Sequence, residues 1–429
     1  MKFFAAVAAL AMPFVAAADY TSAAKDDQNI FYMYVESENA PASDPVVLWT
    51  NGGPGCSGLL GLFTEQGPFV PQSDGTVAYN EFAWSKVANM LFVEQPAGVG
   101  FSYGSDDDMH TGDDQAAVDN HQLILSFLER FPEVQANPFF ITSESYGGHY
   151  MPTLAKEIVD NNADGAINFK GFAVGNPYTN AFTNKIAQYT AQYQHGALPA
   201  PLFNRWLDKC ARRPSLINLE NCTYLEGAMM EKMGNGINPY ALDYPVCVED
   251  AASSQALTLM HAMHEEGSPA KELLLPVENY EPCAEDFLLA WINTDEVKEA
   301  MHAKTGITWG SCSSKVRYSR KDMQKDMAPL YNYLIDGGYG LKILVYSGDD
   351  DSVCATSGTD AWIWDLGYET IAGKYWRDWK VDEQVAGYVS HFEDGVMTYA
   401  TVHGAGHEVP TYKPKQALDL LQKFLSNEW

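Results

Sequence analysis

The sequence predicts an α/β fold with a central, mostly parallel sheet and a helical insertion. Three observations carry this. Short β-favouring runs alternate with amphipathic helical segments up to residue 178 and again from residue 328, the pattern of strands joined by crossover helices. Several of these runs end in glycine-rich or acidic loops, at 50–58, 94–103, 143–148, 175–177 and 347–354. In an open α/β sheet, loops at the strands' carboxyl ends converge on the ligand crevice. Between 179 and 327 the alternation stops, and helical patterns broken by cysteine-bearing loops take over.

At 429 residues the chain can bury one large core, with or without an insertion. Its 46% hydrophobic and 19% charged content is that of a globular protein. A net charge of -29 argues against nucleic-acid or anionic-membrane partners, which need a basic patch. Met1-Lys2, the apolar run Phe3–Val15 and Ala16-Ala17-Ala18 form a secretory leader, with cleavage expected after Ala18. No later stretch is long and apolar enough to span a membrane. The expected organisation is therefore a signal peptide at 1–18, a core built from 19–178 and 328–429, and a cap at 179–327. Seven cysteines in an exported chain imply disulfides with one thiol left over, and composition alone does not fix the pairing. Asn221-Cys222-Thr223 is an N-glycosylation acceptor.

Taken in order, Ile30–Val35 and Val46–Trp49 read as buried strands. The second runs into Thr50-Asn51-Gly52-Gly53-Pro54-Gly55-Cys56-Ser57-Gly58, whose backbone N–H groups can face a developing oxyanion. Met90–Val93 is a further strand, followed by a glycine loop without the spacing of a phosphate cradle. A helix is expected over Asp113–Arg130. Pro138–Thr142 then leads into Ser143-Glu144-Ser145-Tyr146-Gly147-Gly148, with helical sequence from Thr153. Strand, sharp turn and helix form the setting of a nucleophilic serine on a strained elbow. The first glycine of the G-x-S-x-G pattern is replaced here by Ser143. After the strands Phe169–Val174 and Leu341–Tyr346, strand-like segments are expected at 370–376, 385–392 and 396–402, and a final helix at 415–425.

Ser145, an aspartate after a late strand and His407 before the last helix give the order Ser…Asp…His, that of the α/β-hydrolase fold. The histidine takes the serine proton, and the carboxylate fixes the imidazole tautomer and stabilises its charged form. Asp349-Asp350-Asp351 lacks the alternation and trailing glutamate of a calcium loop, and no metal or other cofactor is implied.

The sequence resembles the serine carboxypeptidase family over nearly all of the mature chain. The resemblance rests on Trp49–Gly58, Glu65–Phe69, Gln95–Tyr103, Glu144–Pro152, Gly348–Cys354 and Gly404–Pro410. It implies Ser145 as nucleophile, His407 as base and Asp351 as the carboxylate, with an oxyanion hole formed by the N–H groups of Gly53 and Tyr146. Asn51, Glu65 and Glu144 match the residues that hold a substrate's terminal carboxylate. The disulfides it implies are Cys56 with Cys312, Cys210 with Cys222 and Cys247 with Cys283. Cys354 is then a free thiol lining the site, and Glu408 bears on the departing residue. Asn180 stands where the family commonly has aspartate.

The function so implied is a serine carboxypeptidase acting in acid on peptides and proteins with a free C-terminus. Its destination is the secretory pathway, either outside the cell or in a vacuole or lysosome. A homodimer is compatible with it. The competing readings are an acyltransferase on the same fold and a partner-stabilising role.

Overall fold

The structure, a computed structural model, describes residues 17–22, 28–105, 109–213, 220–248 and 280–429; of residues 17–22, 220, 221 and 394 only the backbone is described. The leader expected over 1–18 lies outside these residues, apart from Ala17 and Ala18.

Ten strands form the main sheet: β1 (Ala17–Ser22), β2 (Asn29–Val35), β3 (Val46–Thr50), β4 (Asn89–Glu94), β5 (Phe139–Glu144), β6 (Phe169–Gly175), β7 (Lys342–Gly348), β8 (Arg377–Val381), β9 (Gln384–Phe392) and β10 (Met397–Val402). Their order is β1-β2-β4-β3-β5-β6-β7-β10-β9-β8. The strands from β4 across to β10 pair in parallel, and β1, β2, β9 and β8 add antiparallel margins. Each central strand feeds both faces, because successive side chains point to opposite sides. Val46, Leu48, Leu91, Val93, Ile141 and Val345 enter one core with the helices α1 (Asp113–Arg130) and α2 (Gly147–Asn161). Val47, Trp49, Met90, Phe92, Phe140 and Leu344 enter the other, which α11 (Pro414–Ser426) covers.

Between β6 and β7 the chain forms α3 (Ala181–Gln194), α4 (Ala200–Cys210), α5 (Glu220–Met233), α6 (Ala284–Ile292), α7 (Asp295–Ala300) and α8 (Ala328–Asp336). Tyr189, Phe203, Trp206, Leu225 and Met229 make a small core of their own, which the Cys210–Cys222 disulfide closes. The Asn180 carboxamide caps α3, accepting from the N–H groups of Phe182 (3.0 Å) and Thr183 (3.2 Å). Asparagine and aspartate serve equally as N-caps, so the cap itself is kept. The other bridges, Cys56–Cys312 and Cys247–Cys283, complete the pairs that the resemblance implies.

Two expectations are corrected. Residues 370–376 are not a strand: Thr370 makes a single bridge to Phe392, and Gly373 and Trp376 take φ of 75° and 42°. The strand begins at Arg377 and turns into β9 through Asp382 and Glu383, both left-handed at φ 50° and 62°. In addition, α2 starts at Gly147 and not at Thr153, so Pro152 sits within the helix. α9 (Thr356–Asp365) and the short α10 (Val409–Tyr412) complete the late part of the chain. Among the described residues, no helix is long and apolar enough to cross a membrane.

Candidate active site

β5 delivers Ser145 at its carboxyl end, directly before α2. Its φ is 59°, a conformation that side chains with a Cβ adopt only where surrounding structure enforces it. The enforcement is visible. The Ser145 N–H donates to the Gly175 carbonyl (3.0 Å), and the Ser145 carbonyl accepts from the N–H groups of Gly148 (3.0 Å) and Tyr178 (2.7 Å). Glycine is required nearby for space. A Cβ on Gly148 would lie 2.3 Å from the Tyr178 carbonyl oxygen, and one on Gly147 only 2.3 Å from Ser143 Oγ. The extra hydroxyl at position 143 is thus accommodated because position 147 has no side chain.

The loop after β3 packs onto this elbow. A Cβ on Gly52 would fall 2.5 Å from the Tyr146 nitrogen and 2.7 Å from Ser145 Cβ. Gly53 follows at φ 111°, a backbone shape natural to glycine. The two amides assigned to the oxyanion hole therefore belong to loops in direct contact.

The loops after β7 and β10 bring Asp351 and His407 together. His407 Nδ1–H donates to Asp351 Oδ2 at 2.7 Å, with both side chains almost wholly buried. The carboxylate is held on every side. Oδ1 accepts from the Val353 N–H (2.6 Å), and Oδ2 accepts also from the Cys354 N–H (3.0 Å) and Asn176 Nδ2 (2.9 Å). Asn176 Oδ1 takes the Gly348 N–H at 2.9 Å, which fixes its amide orientation. On the other side, the Tyr240 carbonyl accepts the His407 N–H (2.7 Å) and the Tyr240 ring meets the imidazole edge-on at 5.3 Å. The buried Cys354 thiol lies beside the Ser145 side chain.

Beside Ser145 lies a buried carboxyl pair. Asn51 Nδ2 donates to Glu65 Oε1 and to Glu144 Oε1, both at 2.8 Å. The amide cannot be turned over, because Asn51 Oδ1 accepts from Trp49 Nε1 (2.8 Å) and the Gly61 N–H (3.1 Å). The second oxygens, Glu65 Oε2 and Glu144 Oε2, are buried without a hydrogen-bond partner.

Comparison with known proteins gives the family. The serine carboxypeptidase family model matches residues 8–427. The chain belongs to the serine carboxypeptidase family. It is accordingly a serine-type carboxypeptidase, a hydrolase of peptide substrates. Among its relatives in Arabidopsis thaliana, serine carboxypeptidase 24 is 37% identical, the match covering 93% of this chain and 86% of that protein. Serine carboxypeptidase-like 20 is 34% identical over 93% of this chain and 87% of that protein. The solved structure of Kex1(delta)p, a prohormone-processing carboxypeptidase from Saccharomyces cerevisiae, has the same fold. It superposes with a TM-score of 0.75 at 21% identity, covering 96% of this chain and 91% of that one.

In this carboxypeptidase the site's charges are set by burial. Burial first, and then the Glu408 charge, lifts Glu65 to about 8 against the weaker pull of Asn51. Glu144 is raised well above the usual carboxyl range by burial and by Glu65. Glu408 is partly buried and also raised, chiefly by burial, with His407 opposing. Burial disfavours charge on His407, but the Asp351 charge and hydrogen bond outweigh it and lift the imidazole to about 9. Burial holds the Cys354 thiol well above its ordinary value.

The candidate residues thus fall into three groups around one elbow: Ser145 with Cys354, Asp351 with His407 and Glu408, and Asn51 with Glu65 and Glu144. Asn221 is the second residue of α5, and its side chain lies outside those described. Two contributors went unread in the sequence. Asn176 carried a signal as a polar residue in a loop ending β6, whereas Tyr240, in the insertion, carried none. One group outside the site has the composition of a cation site: His195, Asp243 and Asp350 present atoms within 4.8 Å of one another. Within it His195 Nε2 lies 3.6 Å from Asp350 Oδ1, and the Asp243 N–H donates to Asp350 Oδ2 at 3.1 Å.

Proposed function

We propose that this enzyme removes C-terminal residues from peptides and proteins in acid, through an acyl-enzyme on Ser145. Ser145 Oγ attacks the carbonyl of the last peptide bond while His407 takes its proton. The negative oxygen is received by the N–H groups of Gly53 and Tyr146, and Asp351 stabilises the imidazolium. His407 then protonates the departing amino acid, and water, activated by the same base, releases the shortened peptide.

The observation that carries this reading is the junction of Asn51 with Glu65 and Glu144, one residue before Ser145. Two buried carboxyls in contact cannot both ionise readily, so in acid a protonated glutamate donates to the substrate carboxylate. Protonating Glu65 and Glu408 also removes two of the charges that lift His407. Glu408, next to the base, disfavours acidic departing residues. The three disulfides support an oxidising compartment, in keeping with export by the 1–18 leader, glycosylation at Asn221, and a secreted, vacuolar or lysosomal destination.

The test is to incubate the purified protein at pH 5 with one peptide as the free acid and as its C-terminal amide, and to follow the products by mass spectrometry. Stepwise shortening of the free acid alone is expected. Equal trimming of both forms contradicts the clamp, and acyl transfer to an added alcohol in preference to water favours the acyltransferase alternative.

A further inference from the structure

A second buried network lies behind the elbow, and the mechanism above does not use it. Asp113, the first residue of α1, is 1% exposed. Its Oδ1 accepts from the hydroxyls of Tyr146 (2.9 Å) and Tyr318 (2.8 Å), and its Oδ2 from His149 Nδ1 (3.0 Å). These bonds outweigh burial and hold the carboxyl below its usual range, so Asp113 is a buried anion. The His149 ring, fully buried, stacks on Tyr146 at 4.5 Å with the planes 13° apart, and on Tyr178 at 5.7 Å. Tyr150 and Tyr318 close on the Tyr146 ring edge-on at 5.1 and 5.3 Å. Tyr150 also accepts the Gly55 N–H through its hydroxyl (3.1 Å), tying in the loop that carries Gly53.

Burying a carboxylate is costly even when it is paired, and well-packed apolar residues often serve stability as well or better. What distinguishes this anion is where its bonds lead. Tyr146 follows the nucleophile, and its amide packs against Gly52. A phenol anchored at one end and a backbone pressed at the other leave the Tyr146 N–H one direction to point. We infer that Asp113 is a positioning residue, which aims the Tyr146 N–H at the transition-state oxygen by anchoring the Tyr146 hydroxyl. This rests on the proposed oxyanion role of Tyr146. Asp113 itself touches neither substrate nor reacting atoms.

The test compares Tyr146→Phe, Asp113→Asn, Asp113→Ala and Tyr318→Phe, with rates expressed per Ser145 titrated by a fluorophosphonate. Loss of one oxyanion donor costs about 10²–10³-fold, and a misaimed one should cost less. For Tyr146→Phe and Asp113→Asn, kcat is expected to fall roughly tenfold with KM unchanged. A peptidyl boronate, which forms a tetrahedral adduct, should weaken about as much, while inhibition by product stays constant. Asp113→Ala should be worse than Asp113→Asn, which keeps an acceptor. Tyr318→Phe removes an equally good bond to the same carboxylate but not from the oxyanion residue, and should stay near wild type. Wild-type kcat in Tyr146→Phe, or equal losses in Tyr146→Phe and Tyr318→Phe, overturns the inference. Activity surviving in Ser145→Ala would instead overturn the underlying reading of the site, whatever the tyrosine variants do.

Discussion

Asp351 and His407, 56 positions apart, share a buried 2.7 Å hydrogen bond in which the carboxylate's remaining acceptor capacity is taken by Asn176 and two backbone amides. An acid so fully satisfied fixes the orientation of its partner imidazole through Nδ1. Asp351→Asn retains the shape but presents an amide that can turn an N–H toward Nδ1. We expect kcat to fall by about 10⁴-fold with peptide binding little changed, as steady-state kinetics would show.

Asn176 should matter at one remove. Asn176→Ala leaves Gly348 N–H and one side of Asp351 without their partners, in a residue held at φ 39°. A loss of about 1–3 kcal/mol in denaturant unfolding is expected, with a lower kcat. Full stability in the variant would show that the bonds are replaced.

The carboxylate clamp makes a signed pH prediction. Glu65 is lifted to about 8 and Glu144 is raised well above the usual carboxyl range, so the donor form is present in acid and is lost as Glu65 ionises. KM for a peptide acid should climb across that range, while KM for its amide should climb much less. Parallel profiles would remove the glutamates from substrate binding.

The same shift acts on the fold. Unfolded Glu65 releases its proton near 4.5, whereas folded Glu65 keeps it to about 8. Its contribution to stability is complete below 4.5 and disappears as pH rises toward 8. Thermal unfolding should therefore show a falling Tm over that window, and a shallower fall in Glu65→Gln.

Cys354 is buried against Ser145 with its thiol pKa raised, so little of it is thiolate at neutral pH. Iodoacetamide should inactivate the enzyme slowly at pH 7 and faster in alkali, and Cys354→Ala should resist. Equal inactivation of the variant would place the sensitive group elsewhere.

The sequence made legible those parts of the site whose signal is local. The elbow, the Gly52-Gly53 loop and the residues around His407 are short strings in which backbone shape restricts residue choice. Asn176 and Tyr240 act through tertiary contact and leave no comparable local mark. The misplaced strand at 370–376 has a similar origin. Its β-favouring residues suggested pairing, but two left-handed positions within it interrupt the ladder. The helix expected from Thr153 begins six residues earlier, at Gly147, because buried packing carries α2 through Pro152.

The central claim is that Ser145 is the nucleophile in the trimming of free C-termini. Ser145→Ala, folded as judged by an unchanged Tm, should still bind a peptide acid but release no amino acid detectable by mass spectrometry. Trimming at the wild-type rate by that variant would contradict the account.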